Sequence, residues 1–302
     1  MDSAKSQPAA DRPSDRACAS LGGKLSIVIP AFNEAERIEG SLREMVATID
    51  GFGIDYELIV VDDGSPDSTF ASAMRAKFDF PDVVRVVRYD RNKGKGNAVI
   101  CGSRYARGEY VAFIDADMDL HPRQLPRLIR EMVERDADVV IGSKWHPDSV
   151  ITYTPLRRTF SVGYYAMVRA LFDLPVRDTQ TGMKIFRAEV LHRVFPRILA
   201  KRFAFDVEVL ANAHRLGYTI VEAPIEMTPQ RQLNRVGWGA VFEVFKDTLA
   251  IYYRMHILHY YDRDVSVFPA TTDGDHEVFV PEGVSRGEVA STVRSASADA
   301  TG

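Results

Sequence analysis

The sequence predicts an α/β protein built around a doubly wound, mainly parallel sheet. Short, mostly apolar runs, which are typical of strands buried on both faces, occur five times between residues 25 and 142. Segments with apolar residues at helical spacing separate these runs. Strands and helices that alternate in this way form right-handed βαβ units, whose strands are parallel.

The first half of the chain contains the regular part of the pattern. Its first strand precedes a helix that begins at Asn33, because asparagine is a preferred helix cap and acidic residues follow it. Strands are predicted at 25–30, 56–61, 83–88, 110–114 and 138–142. Helices are predicted at 33–50, from 66 onward, at 96–106 and at 125–135.

After Gly142 the alternation becomes less regular. Helices are predicted at 156–172, 205–216 and 239–260, and short strands at 183–186 and 218–221. Apolar residues surround much of the helix at 239–260. Three interpretations stay open for this helix: core packing, a dimer contact or a position on a membrane surface.

Composition and charge narrow the class of protein. The 302 residues are 46% hydrophobic and 26% charged, which is typical of a soluble globular chain, and the net charge of −4 gives no basic excess for binding nucleic acid. Cys18 and Cys101 form no spaced metal or disulfide motif, so a reducing, cytoplasmic location is expected. No signal peptide and no transmembrane helix are expected.

The chain is expected to fold as a single domain over residues 25–263. Within it, 25–142 would bind one substrate, and 143–263 would form a second pocket and the final helix. Residues 1–24 and 264–302 are rich in small and polar residues, which predicts disordered tails.

Three carboxylates follow the fourth strand. Asp115, Asp117 and Asp119 are expected at the carboxyl edge of the sheet, where open α/β sheets bind ligands. Residues two apart point to the same side of an extended chain, so Asp115 and Asp117 would converge. Converging carboxylates need a cation or a proton, and Mg²⁺ or Mn²⁺ with a substrate diphosphate meets that need. The alternative is a solvated loop that caps the next helix.

Polar turns also follow the first two strands, at residues 30–34 and at Asp62 and Asp63. No Gly-x-Gly-x-x-Gly follows the first strand, which disfavours a dinucleotide-binding oxidoreductase, and the P-loop motif is absent. An acidic edge that binds a nucleotide through a metal indicates nucleotide-sugar chemistry.

Six motifs, spread over about residues 25–260, occur in a fixed order: Leu25–Glu34, Val61–Ser65, Asn92–Val99, Asp115–Asp117, Arg177–Phe186 and Arg202–Leu210. In these motifs the chain resembles family 2 glycosyltransferases, which have the Rossmann-like GT-A fold. Asn92–Val99 and the last two motifs, Arg177–Phe186 and Arg202–Leu210, look like the dolichyl- or polyprenyl-phosphate hexosyltransferase branch. Within that branch, dolichyl-phosphate β-glucosyltransferases are more similar than dolichyl-phosphate mannose synthases.

The resemblance implies a metal site at the fourth strand. Asp115 and Asp117, with Ala116 between them, would hold the metal ion and the diphosphate. Asp119 would be a further metal ligand. The expected cofactor is therefore Mg²⁺ or Mn²⁺.

The resemblance also implies nucleotide contacts. Asp62 or Asp63 would hold the base or the ribose. Lys95 and Arg235 would reach the diphosphate, unless they are ordinary exposed charges. The residues expected to edge the nucleotide all follow the first strand: Pro30, Ala31, Asn33 and Glu34.

The acceptor decides which groups the second pocket needs. A sugar hydroxyl requires a base, whereas a lipid phosphate is already anionic and requires cations. The resemblance places the acceptor-phosphate contacts at Lys144, Arg157, Arg158 and Ser161, although paired arginines on a helix are often solvated surface.

The acids of the second half have two interpretations each. Asp178 is either the base or the residue that orders its loop through Gln180 and Thr181. Asp206 and Glu208 would line the acceptor side, but a helix cap and a surface acid explain them almost as well.

These observations favour an inverting, metal-dependent transferase that moves a hexose from UDP-glucose, or less strongly GDP-mannose, to a polyprenyl phosphate. A family 2 transferase that acts on a saccharide hydroxyl is the first alternative. A non-catalytic nucleotide-sugar-binding subunit, recruited to a membrane partner through the final helix, is the second. In the favoured interpretation the protein is cytoplasmic, with peripheral contact to the cytoplasmic face of a membrane through the helix at 239–260.

Overall fold

The structure is a computed structural model that describes residues 18, 21–151, 155–200, 204–227, 238–262 and 278–280. For 155–161, 238–242 and 278–280 it describes the backbone alone. Every structural statement below refers to these residues.

An eight-stranded sheet forms the centre of the protein, in the order β10-β3-β2-β1-β4-β7-β5-β8. Its strands are β1 (Leu25–Ala31), β2 (Tyr56–Asp62), β3 (Val84–Arg88), β4 (Tyr110–Phe113), β5 (Val139–Ser143), β7 (Lys184–Arg187), β8 (Ile220–Pro224) and β10 (Val278–Val280). Two short strands, β6 (Val150–Ile151) and β9 (Glu226–Met227), pair separately. The sheet is parallel except at β7 and β10.

Helices cover both faces of the sheet. They are α1 (Ile38–Asp50), α2 (Thr69–Asp79), α3 (Lys95–Arg104), α4 (Leu125–Glu134), α5 (Pro155–Phe172), α6 (Ala188–Val194), α7 (Phe205–Arg215) and α8 (Trp238–Tyr252). Alternate residues of β1 enter different cores, because Ile27 and Ile29 pack with α1, α2 and α4, whereas Val28 packs with α3, α5 and α7. Because both faces of the sheet are buried, consecutive residues along a strand are mostly apolar, which explains the apolar runs in the sequence.

β7 is antiparallel to both of its neighbours, β4 and β5. The sequence predicted a strand at this place, but its apolar pattern carries no information on direction. Because β7 runs in the opposite sense, the loop before it lies at the carboxyl ends of β4 and β5. That loop contains Asp178, Gln180 and Gly182, which are thereby brought to the same edge as Asp115.

The structure differs from the sequence predictions near both ends. Val278–Val280 pairs with β3 as an edge strand, although 264–302 was predicted to be disordered throughout. Cys18 and Leu21, within the predicted N-terminal tail, are buried in the core. The other residues of the two tails lie outside the description, so the domain boundaries stay a prediction.

The predicted single helix at 239–260 is divided into three parts. The α-helix α8 ends at Tyr252, and a π-helical turn follows at Tyr253–Ile257. His259 then takes a left-handed φ of 48° before a short 3₁₀ turn at Tyr260–Asp262. No helix in the described part of the chain is both long enough and apolar enough to cross a bilayer.

Candidate active site

A cavity of about 660 Å³ opens at the carboxyl edge of the sheet. The turns after β1, β2 and β4 contribute to its wall, together with the starts of α3 and α7 and the loop before β7. The predicted substrate contacts that line it are Pro30, Ala31, Glu34, Asp63, Lys95, Asp115, Ala116, Asp117, Gln180 and Asp206. Residues that sequence reasoning did not select also line it, namely Phe32, Asn92, Gly94, Gly96 and Phe205.

The turn after β2 gives two neighbouring acids different roles. The Asp63 carboxylate faces the cavity and accepts hydrogen bonds from two backbone N–H groups before α3 (2.8 and 3.0 Å) and from the Tyr89 hydroxyl (2.5 Å). Asp62 is fully buried and accepts the N–H of Ser65 at 3.0 Å. Burial raises the pKa of both carboxyls, and these hydrogen bonds offset part of that rise. Asp63 therefore forms part of the cavity wall, whereas Asp62 shapes the turn.

Asn33 does not begin a helix as predicted. Helix α1 begins at Ile38, and Asn33 has a φ of 56°, a left-handed conformation that asparagine tolerates. Its N–H donates to the Ser65 hydroxyl at 3.0 Å. Asn33 turns the chain between β1 and α1, and it is not part of the cavity wall that the described residues form.

Asp115 and Asp117 both line the cavity, but not for the predicted reason. β4 ends at Phe113, and Asp117 lies in a tight turn before Met118, whose φ is 61°. The two carboxylates converge because of this turn, not because of strand alternation. Burial, followed by repulsion from Asp115, raises the pKa of Asp117 to about 6. Such a pair is poorly stabilised without a nearby cation.

This pair of acids fits a hard divalent cation. Carboxylate oxygens suit Mg²⁺ and Mn²⁺, and the Lys95 ammonium lies 2.5 Å from Asp115 Oδ1, where the site requires positive charge. Among the described residues, no three Asp, Glu, His or Cys side chains are arranged to hold a metal ion together. Asp119 lines a smaller neighbouring cavity together with Asp115 and Asp117, and its N–H donates to Asp117 Oδ1 at 3.2 Å. Its role as a further metal ligand stays a prediction.

A smaller cavity of about 120 Å³ adjoins the first. The two cavities share Asp115, Asp117 and Gln180 in their walls. Lys144 lines the smaller one, and its contact with an acceptor phosphate stays a prediction. Asp115 and Asp117 therefore lie between the large cavity and the small cavity, and the small cavity is lined by the positively charged side chain of Lys144.

Asp178 orders its own loop. Its buried carboxylate accepts the N–H of Lys144 at 3.0 Å, the N–H of Gln180 at 3.1 Å and the hydroxyl of Thr181 at 2.6 Å. The Lys144 ammonium also pairs with this carboxylate, with 3.4 Å between Lys144 Nζ and Asp178 Oδ2. Of the two interpretations of Asp178, this geometry favours loop ordering over a general base.

The two acids of α7 also differ in role. Asp206 lines the large cavity and accepts a hydrogen bond from the Lys184 ammonium at 2.6 Å. Glu208 is fully buried, and its carboxylate accepts two backbone N–H groups at 3.0 and 2.6 Å, the Tyr261 hydroxyl and a hydrogen bond from Arg254 at 3.2 Å. The suggestion that Glu208 lines the acceptor side is therefore wrong, because its buried carboxylate joins the segment that follows α8 to α7.

Four predicted contacts cannot be placed. Arg157, Arg158 and Ser161 belong to α5, but their side chains lie outside the description, and Arg235 lies outside the described residues altogether. Their roles stay predictions.

Comparison with known proteins gives the family. A model described as glycosyl transferase family 2 matches residues 26–195. A dolichyl-phosphate beta-glucosyltransferase of Dictyostelium discoideum is 30% identical over 242 residues, which cover 76% of this chain and 74% of that protein. The chain belongs to glycosyl transferase family 2. The predicted enzyme class, a hexosyltransferase, is confirmed.

Solved structures share the fold of this family 2 glycosyltransferase. The glucosyl-3-phosphoglycerate synthase of Mycobacterium tuberculosis, in complex with Mn²⁺, UDP-glucose and phosphoglyceric acid, aligns with a TM-score of 0.60 at 22% identity over 89% of this chain and 92% of its own. The mannosyltransferase PcManGT of Pyrobaculum calidifontis, with GDP-Man and Mn²⁺, aligns with a TM-score of 0.54 at 21% identity over 78% of this chain and 64% of its own. The predicted GT-A fold is confirmed.

Two glycines of the glycosyltransferase were missed as site residues. A β-carbon at Gly182 would overlap the Asp115 carboxylate, and one at Gly96 would lie 2.6 Å from the Phe205 ring. Both positions need a residue without a side chain so that a cavity residue can keep its place. The signal was available, because both glycines lie inside motifs that carry the family resemblance.

Lys184 was also missed. It is fully buried on β7, where its ammonium donates to the Thr181 carbonyl and to Asp206. A lysine within a short apolar strand is a signal for this role, since a buried lysine needs a partner.

Proposed function

We propose that this family 2 glycosyltransferase moves a hexose, with inversion, from a nucleotide sugar to the phosphate of a polyprenyl or dolichyl lipid. The observation that carries the proposal is the pair of acids, Asp115 and Asp117, between a large cavity and a small cavity lined by Lys144. UDP-glucose is the preferred donor over GDP-mannose, because the similar protein of Dictyostelium discoideum is named a glucosyltransferase.

On the donor side, the residues of the large cavity would hold the nucleotide. Asp63 lies where it can accept hydrogen bonds from a ribose or a base, and Asp115 and Asp117 would hold Mg²⁺ or Mn²⁺ against the diphosphate. A bound divalent cation stabilises the charge that builds on a departing nucleoside diphosphate.

On the acceptor side, the structure supports a phosphate over a hydroxyl. The second pKa of a phosphate monoester is about 6, so its oxygen is already anionic at neutral pH and needs no base. Asp178, the candidate base, already accepts two hydrogen bonds from its own loop and one from the N–H of Lys144. Lys144 instead offers a cation in the small cavity, and Arg157, Arg158 and Ser161 are proposed to add to it.

The lipid part of the acceptor would lie along an exposed apolar face. This face consists of Phe245, Leu249, Tyr253, Ile257 and Leu258, which are 41–59% exposed. Its helix contacts the acceptor side, because Thr248 hydrogen-bonds to Tyr164 (3.2 Å), which Gln180 contacts at 3.4 Å. The protein would therefore bind the cytoplasmic face of a membrane peripherally, through this face.

A donor panel tests the proposal. UDP-glucose, GDP-mannose and UDP-GlcNAc are each incubated with a short polyprenyl phosphate and Mn²⁺, and the lipid product is identified by its mass. A hexosyl-phosphoprenol is expected, and a product only on saccharide hydroxyls would overturn the choice of acceptor. Asp178→Asn separates the two cases further, since near-total loss of rate indicates a base, whereas a phosphate acceptor predicts a mild effect.

A further inference from the structure

Lys95 occupies a special position in the large cavity. It is the first residue of α3, and its ammonium lies 2.5 Å from Asp115 Oδ1. Asp117 and Asp206 line the same cavity, so three acidic residues share it with this ammonium. In the absence of ligand, this ammonium supplies the positive charge that the pair of acids requires.

The Asp115 carboxylate is held between Gly182 and Lys95. Its Oδ2 packs so closely against Gly182 that no β-carbon fits between them. Its Oδ1 is the oxygen that Lys95 contacts, within the cavity wall that Asp117 also forms. A divalent ion held by Asp115 and Asp117 would share the Asp115 carboxylate with the ammonium, and two cations beside one carboxylate repel each other.

We propose that Lys95 is a counter-cation that exchanges with the divalent metal ion: it neutralises Asp115 in the free enzyme and moves onto the diphosphate when nucleotide and metal arrive together. The inference rests on the proposed function and deepens it. Nucleotide and metal would then bind cooperatively, because the diphosphate provides the anionic charge that draws the ammonium away from Asp115.

This exchange predicts effects of opposite sign on two affinities. Replacing Lys95 by an uncharged side chain of similar length removes the competitor at Asp115, so Mn²⁺ alone should bind more tightly. The same change removes a cation from the diphosphate, so the nucleotide should bind more weakly. A lysine that only contacted phosphate would leave the affinity for Mn²⁺ unchanged, and a lysine that only supported the fold would weaken both.

The experiment measures both affinities in Lys95→Met. Free Mn²⁺ is followed by EPR without nucleotide, and binding of UDP and of GDP at saturating Mn²⁺ is measured by calorimetry. We expect the Mn²⁺ affinity to rise about tenfold, and the affinity for the nucleoside diphosphate that the wild type binds to fall at least about tenfold. Lys95→Arg, which keeps the charge, should retain the weak binding of Mn²⁺ alone.

Lys24→Met is the matched control. Lys24 also pairs with an aspartate, Asp55 at 3.7 Å, but at the opposite end of β1 from the cavity. This variant loses the same charge and should change neither affinity. An unchanged or weakened Mn²⁺ affinity in Lys95→Met overturns the exchange alone. Failure of the wild type to bind either nucleotide with Mn²⁺ overturns the proposed function as well.

Discussion

At the scale of single residues, the position of Asp115 depends on a residue that has no side chain. Gly182 lies in the loop before β7 and leaves room for Oδ2 of the Asp115 carboxylate. Lys95 contacts the other oxygen, Oδ1. Asp178 holds the loop in place, because its carboxylate accepts hydrogen bonds from the N–H of Gln180 and the hydroxyl of Thr181 in the same loop. Residues from two distant parts of the chain thus fix one carboxylate.

Gly182→Ala should inactivate the enzyme without unfolding it. The added methyl group overlaps the Asp115 carboxylate and must displace it, and a displacement of 1 Å at a reacting centre costs about 100-fold in rate. Steady-state kcat/KM, measured beside the thermal midpoint, checks this. Gly163→Ala is the control, since a β-carbon there meets nothing within 4 Å, and it should retain full activity. Wild-type kcat/KM in Gly182→Ala would show that Asp115 needs no fixed position.

At the scale of the secondary-structure elements, a buried ion pair holds the end of the sheet opposite the cavity. Glu57 on β2 and Arg85 on β3 are both buried, with 2.7 Å between Glu57 Oε2 and Arg85 Nη1. The other carboxylate oxygen accepts the Ser26 hydroxyl at 2.6 Å and the Arg107 N–H at 2.8 Å. Glu57 thus ties β1, β2 and β3 to the segment that enters β4.

Glu57→Ala should lower the free energy of unfolding by about 3–5 kcal/mol, because it leaves the Arg85 guanidinium buried without its carboxylate. Urea unfolding measures the change. Removing the exposed partner in the Lys24–Asp55 pair, by Asp55→Ala, should cost less than about 1 kcal/mol. Equal losses in the two variants would mean that burial of the pair has no energetic consequence.

The apolar face that begins at Phe245 provides a second prediction at this scale. Leu249→Ser should weaken binding to lipid vesicles and lower kcat/KM for a long-chain polyprenyl phosphate several-fold, because we propose that the protein contacts the bilayer through this exposed face. For a short, water-soluble prenyl phosphate, the variant and the wild type should have the same kcat/KM. Leu216→Ser is matched in residue type and exposure (39% against 41%) and should alter neither. Unchanged vesicle binding in Leu249→Ser would assign the face to another contact.

At the scale of the whole molecule, the sequence predicted the order of strands and helices and the edge of the sheet at which the cavities open, because both follow from apolar periodicity and from βαβ geometry. It did not predict the reversed direction of β7, which depends on a loop path. Nor could it distinguish Asp62 from Asp63, since one step along a turn decides which faces the cavity. Lys184 and Gly182 were missed for a related reason: their partners, Asp206 and Asp115, are distant in sequence.

The same separation in sequence makes metal and nucleotide binding a property of the assembled fold. We expect that the fold itself does not depend on a metal ion, because the helices pack on the sheet through two apolar cores. EDTA should leave the thermal midpoint of the free enzyme unchanged but abolish the stabilisation by UDP or GDP, which at 100 times Kd amounts to about 2.7 kcal/mol. Mn²⁺ or Mg²⁺ should restore it in the wild type and not in Asp117→Asn, as thermal melts with and without nucleotide would show. Stabilisation by nucleotide that survives EDTA would mean that the cavity binds the diphosphate through its lysines alone.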